Sequence, residues 1–470
     1  MLELRNLSQF CALLLILTAA ANVSPRLQTS ETARQAPTMT ASAAGADVPT
    51  GETRIAGRQA LPIWPAGPLS PAFFGMHIQR PDIAWPKVNG GLGAVRIWDA
   101  GAQWADIAPA KGVFNWDALD AHVSRARANG ADVIMNLGRT PRWASARPAE
   151  PSAYGPGQAA EPALDQYWQD WVRAVATRYQ GKIRYWEVWN EPNDTAFFSG
   201  SAEKLVDLAR QAYFILKTSD PDNQVLSPSP YNVNYLDYYL SLGGGDYADV
   251  IGYHFYLAEA PEALATWYIP SVRVVLTQRG QADKPLWNSE GGYLRPAVPG
   301  PKTLSDETGA AYLARAYLLN WTGGVSRFYF YAWDNHTATN IELTAADNTT
   351  LTAAGVAYRE LSGWLLGAQL SELRVDEAGV WILTFDHPTR GQAYIVWHPT
   401  ETIVFDLPAA WQVQALRSLA GAHMSLSGQR QLAVGPAPLL LESSPVHSLY
   451  LPTVSGPAQS GALGRQEWGR

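Results

Sequence analysis

The segment Tyr185-Trp186-Glu187-Val188-Trp189-Asn190-Glu191-Pro192 is a short run of aromatic and branched residues that ends in an amide and a carboxylate. A second segment, Lys284-Pro285-Leu286-Trp287-Asn288-Ser289-Glu290-Gly291-Gly292, has the same character and also ends in a carboxylate. Residues of this kind favour β-strands. Because an unpaired carboxylate is costly to bury, we expect Glu191 and Glu290 to lie where their strands end.

Six further runs resemble these two and lie on both sides of them in the chain. Strands are predicted at residues 73–77, 94–98, 132–137, 183–189, 224–227, 249–254, 285–288 and 325–331. Most are continuous apolar runs, which is typical of parallel strands that are buried on both faces.

Helical patterns alternate with these strands. Helices are predicted at residues 117–129, 164–179, 201–217, 262–278 and 307–321, with a closing helix at 353–366. Eight such β/α alternations predict a (β/α)₈ TIM barrel. A doubly wound open sheet is the alternative, but no glycine-rich phosphate loop follows the first strand.

The regions outside the barrel differ in composition. We expect a signal peptide at residues 1–21, a flexible linker at 22–60, the catalytic barrel at 61–367, a small C-terminal antiparallel β-sandwich at 368–445 and a polar tail at 446–470. The signal is indicated by an apolar run followed by three alanines, and the linker by small residues without an apolar period. The sandwich is indicated by short β-type runs separated by turn residues.

Bulk properties restrict the partners. The net charge is −7 over 470 residues, and no basic stripe is present, so a nucleic-acid partner is not expected. The apolar N-terminal run is short for a membrane span, so we predict a secreted or extracytoplasmic protein, with an uncleaved N-terminal anchor as the alternative. The single cysteine, Cys11, lies inside the predicted signal.

The two glutamates carry the chemistry. In a parallel barrel the working residues lie at the C-terminal ends of the strands, and Glu191 and Glu290 end the fourth and seventh predicted strands. Two carboxylates that face each other across a cleft can cleave a glycosidic bond. The alternative is that both are ordinary loop glutamates. Their predicted positions on opposite sides of the barrel mouth disfavour this alternative.

Several motifs resemble clan A of the glycoside hydrolases, which are retaining enzymes built on (β/α)₈ barrels. They are Trp189-Asn190-Glu191-Pro192, Ser289-Glu290 and Tyr253-His254-Phe255-Tyr256. Residues 73–77, 113–120 and 186–193 look most like family 39 and its endo-acting relatives, with family 5 close behind.

The resemblance implies roles for the central residues. Glu191 would be the general acid/base and Glu290 the nucleophile. Asn190 would bind the 2-hydroxyl of the sugar, and His254 and Tyr256 would lie beside the nucleophile.

Two more roles follow from the resemblance. Arg96 would lie under Glu290 and lower its pKa. Trp333 would be an aromatic platform for the sugar. A pairing of Arg96 with Asp99 or Asp106 is the alternative for the arginine, and core packing is the alternative for Trp333.

Weaker site predictions complete the set. His77 and Trp143 are expected to line the cleft, and Glu187 to support the site from below. The His and Asp/Glu residues show no metal-ligand spacing, so neither a metal nor a cofactor is expected.

Together these residues predict a secreted retaining β-glycoside hydrolase that cleaves O-glycosidic bonds of an oligo- or polysaccharide by double displacement. The alternative is a catalytically inactive carbohydrate-binding or cell-wall adhesion protein on a barrel scaffold. Replacing Glu290 by Gln separates the two, because a binding protein would keep its function.

Overall fold

A parallel barrel and an antiparallel sandwich make up the described part of the molecule. The computed structural model describes residues 59–64, 67–89, 91–297 and 300–443. The predicted signal peptide, the polar tail and all but the last two residues of the predicted linker lie outside the described residues. Among the described helices, none combines the length and apolar character that crossing a bilayer requires.

The strands follow the predicted alternation through the barrel and continue into the sandwich. In chain order they are β1 (Gln59–Ala60), β2 (Phe74–His77), β3 (Ala94–Ile97), β4 (Asp132–Asn136), β5 (Tyr185–Glu187), β6 (Gln224–Leu226), β7 (Ile251–Tyr256), β8 (Leu286–Gly292), β9 (Val325–Phe330), β10 (Gln369–Val375), β11 (Trp381–His387), β12 (Gly391–Trp397), β13 (Ile403–Asp406), β14 (Ala415–Ser418), β15 (His423–Ser425), β16 (Gln431–Val434) and β17 (Leu439–Glu442).

The helices lie mostly between the barrel strands. They are α1 (Trp104–Ile107), α2 (Asp117–Ala128), α3 (Asp165–Arg178), α4 (Ala202–Ser219), α5 (Val233–Ser241), α6 (Ile269–Gln278), α7 (Asp306–Thr322) and α8 (Ala353–Leu365). A π-helical turn, Leu264–Tyr268, leads into α6. The Ser201 side chain accepts a hydrogen bond from the backbone N–H of Lys204 and is the N-cap of α4.

Strands β2 to β9 form one parallel sheet in the order β6-β5-β4-β3-β2-β9-β8-β7. Its two edges meet through a parallel bridge between Leu226 and Val250, where the backbone N–H of Ser227 donates to the Val250 carbonyl at 3.0 Å. The predicted (β/α)₈ barrel is confirmed.

The barrel interior is layered. Ala94, Ile134, Trp287 and Tyr329 belong to a buried apolar cluster across the barrel. Side chains alternate in direction along a strand, so the residues two positions later face the same interior one layer nearer the mouth. Those residues are Arg96, Asn136, Ser289 and Tyr331, and all are buried. An apolar floor therefore supports a polar layer directly beneath the mouth.

A register shift between β7 and β8 brings Glu290 into this mouth. Tyr253 pairs with Asn288, whereas the next residue, His254, pairs with Glu290. Ser289 is the extra residue, and it still donates a hydrogen bond into the barrel interior. Bulges of this kind re-aim side chains near functional sites. Here the bulge lets Ser289 and Glu290, neighbours in sequence, both contact groups of the interior.

The C-terminal region is a seven-stranded antiparallel sheet, ordered β1-β10-β11-β12-β17-β14-β15, covered by the two-stranded sheet β13-β16. Alternate residues of β11 and β12 face opposite sides. Ile382 and Val396 pack with Phe405 and Val434 of the small sheet, in a cluster of their own. The side chains of the other face pack into the hydrophobic core of the barrel. They are Leu383, Phe385, Ile395 and Trp397. The predicted sandwich therefore also packs on the barrel.

The predicted linker needs a correction at its end. Gln59 and Ala60 form β1, which pairs antiparallel with Val375 and Arg374 of β10. The chain thus joins the sandwich sheet before it enters the barrel. A two-residue strand has no period of its own, so its only signal is the partner strand more than 300 residues later.

Candidate active site

Arg96 is the centre of the polar layer. Its Nε donates to Glu187 Oε2 at 2.7 Å, its Nη1 to Glu290 Oε2 at 2.6 Å and its Nη2 to Asn190 Oδ1 at 2.6 Å. The guanidinium is fully buried. The structure therefore brings together four residues, of which Arg96 and Glu290 lie 194 residues apart in sequence. The alternative pairing of Arg96 with Asp99 or Asp106 is wrong, because Asp106 pairs instead with Arg139 at 2.5 Å.

Glu187 supports the layer rather than the cleft. Besides Arg96, its Oε2 accepts from Asn136 Nδ2 at 3.0 Å, and its Oε1 accepts from the hydroxyls of Ser229 and Ser289 at 2.5 and 2.9 Å. A buried carboxylate with both oxygens saturated is a fixed counter-ion. Glu187 therefore holds Arg96 in place and has no free lone pair for a ligand.

Glu191 has an uncommon backbone conformation. Its φ is +43°, a left-handed value that side-chain-bearing residues rarely adopt. Its backbone N–H donates to the Ser229 carbonyl at 3.0 Å, which holds the turn. Glu191 is only 2% exposed, and its Oε1 lies 2.9 Å from His254 Nδ1. Burial, and then the charge of Glu290, raise the pKa of Glu191 well above its usual range.

Glu290 is held from two sides. Tyr256 donates its hydroxyl proton to Oε1 at 2.7 Å, and Arg96 donates to Oε2. Burial nevertheless raises the pKa of Glu290 to about 7, and the charges of Asp99 and Glu187 add to that rise. Arg96 and Tyr256 do lower the pKa, as the sequence analysis expected of the arginine, but desolvation outweighs them.

The two carboxylates are close. One oxygen of Glu191, one of Glu290 and a ring nitrogen of His254 all lie within 4.8 Å of one another. Three such ligands could surround a cation in principle. However, the Arg96 guanidinium contacts Glu290 directly and already supplies a positive charge there. The carboxyl pair therefore suits an acid/nucleophile arrangement better than a metal site.

Two buried histidines near Glu191 and Glu290 are neutral. Burial and the charge of Arg96 hold the pKa of His77 and of His254 well below the usual value. His77 Nε2 lies 3.0 Å from the Ser289 carbonyl, which can only accept, so Nε2 carries the proton. His77 Nδ1 and His254 Nε2 are buried without a partner among the described groups. Both atoms are therefore available for a ligand.

Asn190 is oriented for the same cleft. Because Arg96 is a pure donor, the Asn190 oxygen must face it, which leaves the NH₂ group directed elsewhere. No hydrogen bond from that NH₂ to a described residue is present. The amide is thus a free donor directly beside the two carboxylates.

The two predicted tryptophans lie in different surroundings, and the role of Trp333 as a sugar platform stays a prediction. Trp333 follows β9 and is 2% exposed, which makes it as enclosed as Glu191. Trp143 does not reach the carboxyl pair. It lines a separate cavity of about 260 Å³ with Trp104, Phe114 and Tyr167, and its Nε1 donates to the Ala108 carbonyl at 2.8 Å. The prediction that Trp143 lines the cleft is wrong, because its ring packs outward against α1 and α3.

Comparison with known proteins finds similar glycoside hydrolases. Residues 99–213 match the family model described as Glycosyl hydrolase family 10. Endo-1,4-beta-xylanase 1 of Gibberella zeae is 28% identical over 172 residues, which are 35% of this chain and 44% of that protein. Endo-1,4-beta-xylanase B of Humicola insolens is 30% identical over 135 residues, 28% of this chain and 35% of that protein. The chain thus spans less than half the length of these curated relatives.

Solved structures match over most of the chain. A family 39 glycoside hydrolase from Bacteroides cellulosilyticus WH2 has a TM-score of 0.63 at 20% identity, covering 80% of this chain and 81% of that one. The chain has the fold of the clan A glycoside hydrolases. A monomeric beta-xylosidase from Caulobacter crescentus CB15 also matches, with a TM-score of 0.60 at 15% identity over 80% of this chain and 97% of that one.

The clan A resemblance inferred from the motifs is therefore confirmed. The matched family 10 segment contains Glu191 but ends before Glu290, so it covers one of the two catalytic candidates. The family 39 likeness is carried by the solved structures. Membership of a particular family within the clan stays a prediction.

The clan A barrel also contains residues that the sequence analysis did not assign. Asp99 accepts hydrogen bonds from the hydroxyls of Tyr154 and Tyr331 at 2.9 and 3.0 Å. Tyr331 packs against both His77 and Tyr256. Asp99 lies two residues past the end of β3, a position that marks a candidate site residue. Tyr154 belongs to the irregular loop after β4, where no pattern signals its direction.

Proposed function

We propose that this protein is a retaining β-glycoside hydrolase that works by double displacement. The observation that carries the proposal is the spacing of the carboxyl pair, whose oxygens approach within 4.8 Å. Retaining enzymes place the two carboxyls roughly 5–5.5 Å apart, whereas inverting enzymes need roughly 6.5–9.5 Å to admit a water. The short spacing supports direct attack by one carboxylate.

The environments of the two glutamates support distinct roles. Glu290 contacts a guanidinium and a tyrosine hydroxyl, both of which stabilise a charged carboxylate. Glu191 has only neutral His254 as a side-chain partner, and its pKa is raised more strongly. As the pH rises, the first proton therefore leaves mainly from Glu290, although the pair titrates jointly. The singly protonated pair has a nucleophile and an acid together.

In the first step the Glu290 carboxylate attacks the anomeric carbon. The bond from that carbon to the glycosidic oxygen breaks, and its electron pair stays with the oxygen, which takes the proton of Glu191. In the second step water attacks the anomeric carbon and gives a proton to Glu191. The bond to Glu290 breaks and restores the free carboxylate.

Neighbouring groups support this reaction. The Asn190 NH₂ is placed to donate to the sugar 2-hydroxyl, a hydrogen bond that strengthens in the transition state. Arg96 orients both Asn190 and Glu290, so the donor and the nucleophile are fixed relative to each other. The Tyr256 hydroxyl donates a hydrogen bond to the other oxygen of Glu290, Oε1.

The substrate we propose is a β-linked polysaccharide, with β-1,4-xylan as the first to test. The matched curated relatives are named endo-1,4-beta-xylanases, and one structural neighbour is a beta-xylosidase. We further propose that the protein acts outside the cytoplasm, because the N-terminal sequence has the features of an export signal.

The proposal is tested with the purified chain on a panel of xylan, glucan, mannan and uronate-containing polysaccharides. NMR of the first product reports its anomeric configuration, and retention is expected. Inversion would overturn the double displacement. Polysaccharide binding without turnover would support the catalytically inactive alternative instead.

A further inference from the structure

Asp99 is a third carboxylate at the barrel mouth, outside the mechanism given above. It lies two residues past β3, next to the turn of the chain at Gly101, and its φ of +54° is left-handed. Asp is among the few residues that tolerate this conformation, because its short side chain can hydrogen-bond locally. Here it bonds instead to two tyrosines from distant parts of the chain.

The direction of each hydrogen bond at Tyr331 can be derived. The Asn335 oxygen accepts from the backbone N–H groups of Thr337 and Ala338, so its NH₂ must face Gln79 and the Tyr331 hydroxyl. Asn335 donates to Gln79 Oε1, which turns the Gln79 NH₂ toward the same hydroxyl at 2.7 Å. The Tyr331 oxygen therefore already accepts, and its own proton is donated to Asp99 Oδ2.

The second oxygen of Asp99 also accepts. The Tyr154 hydroxyl lies 2.9 Å from Oδ1, and the described residues offer it no other acceptor. Two donated protons leave Asp99 as an acceptor at both oxygens, which is the pattern of an ionised carboxylate. The hydrogen-bond network, anchored on two backbone N–H groups, thus assigns a negative charge to Asp99.

This charge is not locally balanced. Burial raises the pKa of Asp99, whereas the groups that face it, Tyr154, Tyr331 and the cations Arg139 and Arg96, lower its pKa. Arg139 forms an ion pair with Asp106, and Arg96 is shared by Glu187 and Glu290. Neither arginine forms an ion pair with Asp99 in the described structure. The mouth therefore has a surplus of negative charge before Glu191 ionises.

We propose that Asp99 is a positioning residue that holds a third negative charge beside the catalytic pair and fastens Tyr154 to the barrel mouth. The inference rests on the proposed function. Glycoside cleavage passes through an oxocarbenium-like transition state, and a fixed negative charge in an enclosed site stabilises that positive charge.

The loop that contains Tyr154 is built to meet Asp99. Ser145 and Pro162 pair across its base, and Arg147 forms ion pairs with Glu150 and Glu161 at 2.5 and 2.7 Å. The Arg139 guanidinium lies 4.3 Å from the centre of the Tyr154 ring. The loop thus presents one tyrosine hydroxyl to one carboxylate, which makes Asp99 its attachment point at the mouth.

The charge has a consequence for the working pH. A negative charge near Glu290 and Glu191 disfavours their ionisation, and Asp99 contributes to the raised pKa of each. The acid limb of kcat/KM requires ionised Glu290, and the basic limb requires protonated Glu191. Removing the charge lowers both pKa values, so the whole bell-shaped profile moves to lower pH.

The test is Asp99→Asn, which keeps the size of the side chain and one acceptor oxygen but removes the charge and the second acceptor. We expect both limbs of kcat/KM to move down by roughly half to one pH unit and kcat at the optimum to fall about tenfold. Tyr154→Phe is the matched control, because it removes one hydrogen bond and leaves the charge. Its profile should keep the acid limb of the wild type.

A second readout does not need turnover. Infrared titration of the glutamate carboxyls, with Glu290→Gln as the assignment reference, reports the ionisation of Glu290 directly. A downward shift in Asp99→Asn is expected even if no polysaccharide on the panel is cleaved, so failure of the proposed function is distinguishable. Equal losses of activity at every pH with an unshifted titration would reduce Asp99 to a structural role and overturn the inference.

Discussion

Glu442 in the sandwich and Glu290 in the barrel are both buried carboxylates, yet their charge surroundings differ. Glu442 is fully buried between Arg390 and Arg417, at 2.6 and 2.8 Å, so two cations face one acid. At the barrel mouth Arg96 alone faces Glu187 and Glu290, with Glu191 and Asp99 close by. The sandwich site is compensated, whereas the mouth is not.

The difference indicates which site is structural and which is chemical. Arg390 also donates to the carbonyls of Gly363 and Trp364 at the end of α8, so the Glu442 cluster joins the sandwich to the barrel. The surplus of carboxylates at the mouth lowers the stability of the fold. Destabilising groups of this kind are typical of sites where the groups perform a reaction. Mutations should therefore affect activity at one site and stability at the other.

The largest expected effect is from Glu290→Gln. The amide cannot attack the anomeric carbon, so we expect kcat/KM to fall about 10⁴-fold, measured on the best substrate of the panel. Circular dichroism should remain that of the wild type. Retention of more than a tenth of the activity would remove Glu290 from the role of nucleophile.

The same variant should be more stable than the wild type at neutral pH. The folded-state pKa of Glu290 is about 7, above its ordinary value of 4.5, so the folded protein disfavours the ionised form. This penalty is absent below about 4.5, grows between the two pKa values and is complete above about 7. The difference in unfolding temperature between Glu290→Gln and the wild type should therefore increase from pH 4.5 to pH 7.

Glu191→Ala should have the next largest effect. Loss of the proton donor should reduce turnover of unactivated substrates about 10³-fold. An aryl glycoside with a good leaving group should still form the glycosyl-enzyme, and added azide should then release a glycosyl azide of retained configuration. Absence of rescue, or full activity without azide, would contradict the acid/base role.

Glu442→Gln should affect stability instead of activity. Two partly buried arginines would lose their charge partner, so we expect the free energy of unfolding to fall by about 3 kcal/mol in denaturant titrations. Activity at 25 °C should change less than twofold, since the cluster is remote from the mouth. Asp406→Asn is the control, because this exposed acid of β13 only accepts a hydrogen bond from Gln431. A large loss of kcat in Glu442→Gln would show that the two regions are coupled.

The barrel was predictable because its strands are continuous apolar runs, and Glu191 and Glu290 stand out as carboxylates that follow such runs. The pairing of Arg96 with Glu187 was not, since it depends on which inward positions meet across the barrel, 91 residues apart. Tyr154 was missed because ion pairs of Arg147, not a local period, fix its loop.

The direction in which the pKa of Glu290 shifts could not be predicted from the sequence either. The presence of a nearby arginine suggested a lowered pKa, and the arginine does act in that direction. The degree of burial decides the net sign, and burial depends on how the surrounding loops close over the site. The arginine near Glu290 could be inferred from the sequence, but the exposure of Glu290 to water could not.

The smallest expected effect is from Tyr256→Phe, which sharpens the charge argument from the opposite side. The Tyr256 hydroxyl donates to Glu290 Oε1 at 2.7 Å and lowers the pKa of Glu290. Without this donor the pKa of Glu290 rises further, so the acid limb of kcat/KM should move up by roughly half a pH unit, with a loss of about threefold at low pH. This direction is opposite to the one expected for Asp99→Asn. If both variants shifted the acid limb the same way, a general loosening of the mouth, rather than separate electrostatic contributions to Glu290, would account for the pH dependence.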